Sequence, residues 1–145
     1  MGLNLTPRPD ELIRVLVSAG VVHLTQGKIR RFSSGVLSPG AYVDNRALPS
    51  CPEQWRRLLE AAAGRFGSVK KKFDVIASVA NGGIPHGSVL ALWFRLPHFV
   101  IRKERKEHGM QSLVDGDLSR LSGARVLVVE DMTTELAAVD RESVV

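Results

Sequence analysis

The middle of the chain reads "FDVIASVANGGIPHGSVLALWFRLPHFVIR", Phe73 to Arg102, and that order of residues leaves few folds open. "FDVIASVA" predicts a strand, "NGGIPHG" a tight loop, "SVLALWF" a buried helix and "HFVIR" a second strand. Two strands joined through a helix run parallel in one sheet, with a right-handed crossover. "RVLVV" (Arg125–Val129) supplies a third strand. In open parallel sheets ligands sit beyond the carboxyl ends of the strands. The chemically distinctive residues fall there: Asn81–Gly83, Arg102–His108 and Glu130–Thr134.

The amino-terminal third reads differently. Asp10 is placed to cap a helix through roughly Ala19, with Leu12, Ile13, Leu16 and Val17 on one face and Gly20 as its stop. Lys28 to Asn45 predicts two short strands around the turn "SSGVLSPGA". Ser50 and Glu53 have capping-box spacing, and the helix they would open carries Trp55, Leu58, Leu59, Ala62, Ala63 and Phe66 as a buried stripe. With 145 residues and no linker or repeat, the expectation is a single domain over 1–145.

Charge and composition exclude several classes. Apolar runs are too short to span a bilayer, and "MGLNLTPRPDELIR" lacks a basic-then-apolar leader pattern, so no membrane and a cytoplasmic setting are expected. The single cysteine, Cys51, cannot form an intramolecular disulfide and fits a reducing compartment. A net charge of +5 and a pI near 9.9 favour anionic ligands. No interleaved aromatics or motif point to nucleic acid, so none is expected as a partner.

Each strand end has a chemical and a plain reading. Glu130 and Asp131 can hold diols or the waters of a metal ion, with Thr133 and Thr134 donating to a phosphate; they can equally open a polar turn. Gly82 and Gly83 permit positive φ and close approach of amides to an anion, as does any strand-to-helix turn. Arg102, Lys103, Lys106 and His108 leave a strand and enter a glycine-flanked segment, which fits an anion-clamping loop at least as well as a solvated helix face. His23, His86 and His98 have no partner at metal-ligand spacing and are assigned no role.

Five segments in order resemble the type I phosphoribosyltransferase family, and within it the orotate branch: "FSSGVLSPGAYVDNR", "ANGGIP", "RKERKEHG" with "VDG", "VLVVEDMTT" and "VDRE". The resemblance covers nearly the whole chain. It implies an α/β fold with a parallel sheet flanked by helices, a small N-terminal helix and β-hairpin region (about 1–50) that binds the base, a core over about 51–145, and a flexible hood loop. The implied reaction is transfer of phosphoribose from 5-phosphoribosyl 1-pyrophosphate (PRPP) to orotate, giving orotidine 5′-monophosphate in pyrimidine synthesis. The resemblance further implies Mg²⁺ riding on the pyrophosphate with no direct protein ligand, and a homodimer whose hood loop reaches the neighbouring site. Lys106 and His108 would close on pyrophosphate, with Arg102 and Lys103 beside them and Gly82 and Gly83 beneath. Glu130 and Asp131 would hold the ribose hydroxyls near the reacting carbon, and Thr133 and Thr134 would begin the phosphate cradle. Arg141 would pair with orotate, with Tyr42 near the base.

The chain also departs from that pattern. Only Met132 separates the acids from the threonines, and no glycine turn or helix follows Thr134. Five residues, Met132 to Leu136, lie between Asp131 and Ala137, whereas a parallel crossover needs about a dozen. Either the cradle helix is lost, or residues of the molecule are missing from the sequence, or the tail is degenerate. Ser33 and Val36 stand where the family often has lysine and arginine. A missing cradle favours a non-catalytic relative that binds PRPP or a nucleotide as a regulator; the loop cations and Arg141 favour the enzyme.

Overall fold

The computed structural model describes residues 8–24, 37, 40–66, 69–102 and 112–132. They divide into two compact units, one spanning Leu59–Asp131 and the other the described residues up to Leu58 together with Met132.

The larger unit is built on a sheet of four strands: β3 (Val75–Val79), β4 (His98–Ile101), β5 (Val114–Asp115) and β6 (Val126–Val129), in the order β5-β4-β3-β6. β3 is central and parallel to both neighbours, which is why its residues read as a continuous apolar run: Val75, Ile76, Ala77 and Ser78 are all buried. The expected three parallel strands are all present. β5 was not foreseen; it runs antiparallel to β4 and makes the sheet mixed. Two residues are too few to show a period, and the pairing is fixed by β4.

The two faces of the sheet do different work. Val75, Ala77 and Phe99 form a buried cluster on one face, with Ile101, Val114, Leu121, Ala124 and Val126 packed on it. Helix α4 (Gly83–Phe94) lies over the other. Its buried residues, Gly83, His86, Gly87, Leu90 and Ala91, recur at helical spacing and make one stripe. The helix therefore begins inside the expected "NGGIPHG" loop. It is also not buried all round: Leu92 is 78% and Trp93 43% exposed, because only the glycine-bearing stripe meets the sheet. Short helix α3 (Val69–Lys72) precedes β3.

The smaller unit contains α1 (Pro9–Ser18) and an antiparallel pair, β1 (Val22–Leu24) with β2 (Ala41–Val43). The first strand thus precedes the expected start at Lys28. Most of "SSGVLSPGA" lies outside the described residues. Arg8 rather than Asp10 occupies the cap position of α1, because Pro9 takes the first helical slot, where its missing N–H costs nothing. The buried residue of α1 is Val15, while Ile13 and Val17 are 59% and 58% exposed, so the expected apolar face is rotated. Helix α2 (Pro52–Phe66) likewise starts at a proline. Ser50 ends a preceding 3-10 helix, and Glu53 closes on Arg56 at 2.8 Å, so the expected capping box is not formed. Leu59 of the predicted stripe is buried, together with Ala61.

Candidate functional site

Two ends of β6 determine where its acids arrive. At the start, Asp74 and Arg125 form a fork: Nε donates to Oδ2 and Nη2 to Oδ1, each at 2.9 Å. The Arg125 amide adds a bond to the same carboxylate at 2.9 Å, and Nη1 reaches the Lys71 carbonyl at 2.8 Å. Hydrogen bonds from Arg125 hold the Asp74 carboxyl at about 2, below its ordinary 3.8. This clamp starts a register in which Val75 faces Val126 and Ser78 faces Val129. A slip of one residue would turn every side chain of β6 over. The register therefore delivers Glu130 and Asp131 beside the turn that follows β3.

That turn is shaped to receive them. The Ala80–Asn81 peptide is cis, the Ala80 amide bonds to the Ile101 carbonyl at 2.8 Å, and Ile84 N reaches Asn81 O at 3.3 Å. Gly82 and Gly83 are both buried. A Cβ on Gly82 would lie within the Asp131 carboxylate, and one on Gly83 would strike the Val129 carbonyl oxygen and come within 3.3 Å of the Glu130 Cα. Neither glycine has a positive φ; Gly82 sits at −68°. The pair is thus required for close approach, one of the two properties the sequence suggested, and not for a left-handed conformation. Asp131 rests against the amino end of α4, where the helix dipole favours negative charge. Its amide donates to Glu130 Oε1 at 3.1 Å.

The end of β4 is adjacent, tied in by the Ala80–Ile101 bond, and carries Arg102. Its amide donates to the Leu113 carbonyl at 2.7 Å, and its Nε donates to Asp115 Oδ2 at 2.7 Å, with Nη2 on the same oxygen. The cation is thus engaged by an acid 13 residues on. "VDG", matched as a motif, proves to be three separate contacts. Val114 packs on the core, Asp115 holds Arg102, and Gly116 (φ +137°) leaves space for the Phe99 ring.

The structure therefore brings Gly82, Gly83, Glu130 and Asp131 together, with Arg102 at the next strand end. Tyr42 lies in β2 of the smaller unit, stacked on His23 with ring centroids 6.2 Å apart. Lys103, Lys106, His108, Thr133, Thr134 and Arg141 lie outside the described residues. Among the described residues no three His, Cys, Asp or Glu side chains cluster to hold a metal. Sequence reasoning missed His98, whose Nε2 lies 2.7 Å from Ser78 Oγ. The signal available was a serine at the fourth place of an otherwise apolar central strand, which obliges some neighbour to satisfy it.

Comparison with known proteins converges on one family. The Phosphoribosyl transferase domain matches residues 50–135. An orotate phosphoribosyltransferase of Coxiella burnetii is 34% identical over 122 residues, covering 84% of this chain and 57% of the relative. One from Pyrobaculum islandicum is 37% identical over 123 residues, covering 85% of this chain and 60% of the relative. The crystal structure of orotate phosphoribosyltransferase from Aeropyrum pernix superposes with a TM-score of 0.61 at 32% identity, over 73% of this chain and 58% of that one. The chain spans less than two thirds of the length of these relatives.

Proposed function

The chain belongs to the phosphoribosyltransferase domain family, and from that premise we propose that it is an orotate phosphoribosyltransferase of pyrimidine biosynthesis. It transfers the phosphoribosyl group of PRPP to N1 of orotate and releases pyrophosphate. The observation that carries this reading is the seating of Asp131 on Gly82, with Glu130 alongside and a cationic strand end on the other side of β3. Relatives named for the same activity support it.

The chemistry suits the residues. Cleavage of the bond to pyrophosphate passes through an oxocarbenium-like state, with positive charge on the ribose and negative charge on the leaving group. Glu130 and Asp131 orient the ribose hydroxyls and offset the first charge. Arg102, Lys103, Lys106 and His108 offset the second where water is excluded. Peptide groups of Gly82 and Gly83, which carry no side chain of their own, offer donors at the amino end of α4. Thr133 and Thr134 begin the 5′-phosphate cradle, and Arg141 and Tyr42 serve orotate. Adjacent carboxylates are hard oxygen donors suited to the waters of a Mg²⁺ ion that arrives with PRPP. That ion neutralises diphosphate charge when bound. The working unit in this reading is a homodimer that shares hood loops, acting in the cytoplasm.

The test is orotate consumption by the intact chain with PRPP and Mg²⁺, with pyrophosphate appearing in step. Lys106→Ala is expected to lower kcat about 10³-fold and Asp131→Asn about 10²-fold. PRPP binding without orotate consumption would make the chain a regulator, and an unaffected Lys106→Ala would remove the loop from catalysis.

A further inference from the structure

Beneath the Gly82–Gly83 turn lies a second glycine with an equally close neighbour. A Cβ on Gly87 would collide with Ser78 Oγ and stand 3.3 Å from His98 Nε2. Ser78 is fully buried at 0% exposure, and its hydroxyl meets the imidazole at 2.7 Å. Three elements therefore close on one point: α4 through its backbone, β3 through a hydroxyl and β4 through a ring. Burial holds His98 below its ordinary value.

The position of this knot gives it a consequence. Gly83 and Gly87 are four residues apart, so they share a face of α4 one turn, about 5.4 Å, from each other. Gly87 sits over Ser78, Gly83 sits over Val129, and Ser78 and Val129 are register partners across β3 and β6. Any axial shift of α4 at Gly87 is thus carried one turn to the contact of Gly83 with Val129 and of Gly82 with Asp131. Leu90 and Ala91 are also buried on α4, and their apolar packing is non-directional. The part-buried Ser78–His98 hydrogen bond is directional and fixes where the hydroxyl stands beneath Gly87.

We propose that Ser78, His98 and Gly87 are positioning residues that set the axial register of α4 and so place the Gly82–Gly83 turn against the acids of β6. Its catalytic consequence rests on the phosphoribosyltransferase reading of that turn. None of the three touches the reacting groups.

Gly87→Ala tests it, paired with Ser78→Gly in the same chain, which moves the methyl-sized volume from strand to helix. Gly87→Ala alone is expected to raise the KM for PRPP about tenfold, a fraction of the roughly 10²-fold that a 1 Å misplacement costs. The KM for orotate stays unchanged, and the double variant recovers most of the loss. Backbone amide resonances of Gly82 and Gly83 in the ligand-free protein move in the single variant and return in the double. Ser78→Ala, which only deletes an atom, serves by the same two readouts if Gly87→Ala does not fold. Equal rises in both KM values, or unmoved Gly82 and Gly83 resonances, overturn the proposal. If the parent chain shows no turnover, the enzyme reading falls and the resonances alone decide the positioning role.

Discussion

The carboxyl ends of β6 and β4 flank that of β3, carry opposite charge and are held by opposite means. At β6 the acids are fixed by shape: glycines leave a space that only a bare backbone can leave, and Asp131 fills it. At β4 the cation is fixed by charge, through a forked contact between Arg102 and Asp115 whose side chains are both 34% exposed. A fit of shape has one solution. An ion pair at that exposure can exchange one anion for another, as the proposed pyrophosphate contact of Arg102 would require.

Three experiments would break or sharpen that contrast. Gly83→Ala should have the largest effect, lowering kcat/KM about 10²-fold, since the obstacle is the main-chain oxygen of Val129 and cannot swing aside. Steady-state kinetics alongside a near-UV spectrum would check it, and near-parental turnover would end the claim that shape governs this end. At β4, Asp115→Asn should cost about 0.5 kcal/mol in urea unfolding, shrinking in high salt. Exchanging the two residues, Arg102→Asp with Asp115→Arg, should recover stability without recovering turnover; recovery of both would mean that only the pair matters and not the place of the cation.

The smallest effect concerns the clamp at the far end of β6. Asp74 has its folded value depressed to about 2 from 3.8, so its contribution is fully present above pH 3.8 and is lost as pH falls through about 2. Asp74→Asn should therefore melt below the parent near neutral pH and converge with it at the acid end. Thermal melts across that range check it, and a constant difference at all pH values would refute the assignment.

The parts legible in the sequence were those with a local pattern. Periodicity located β3, α4, β4 and β6 and, through them, the three strand ends. What escaped depended on partners distant in sequence. Asp115 is an ordinary acid until β4 brings it to Arg102. Ser78 and His98 are 20 residues apart and meet only across two strands. Of the two properties the sequence offered for Gly82 and Gly83, close approach is used and positive φ is not, because a turn that needs positive φ and one that needs clearance use the same residue. The capping box failed for a reason visible in the text: Pro52 takes the first helical slot and displaces Ser50.

The same distances bear on how the molecule assembles. β4 joins β3 across a short crossover, with its Ser78–His98 bond spanning 20 residues, whereas the clamp that seats β6 closes a span of 51. Closing the longer span costs more chain entropy and rewards the chain only when β6 docks. A polypeptide emerging amino end first can fold β3, α4 and β4 on one another before β6 has left the ribosome. The glycine turn is then a finished socket, and the carboxylates are the last part to enter it.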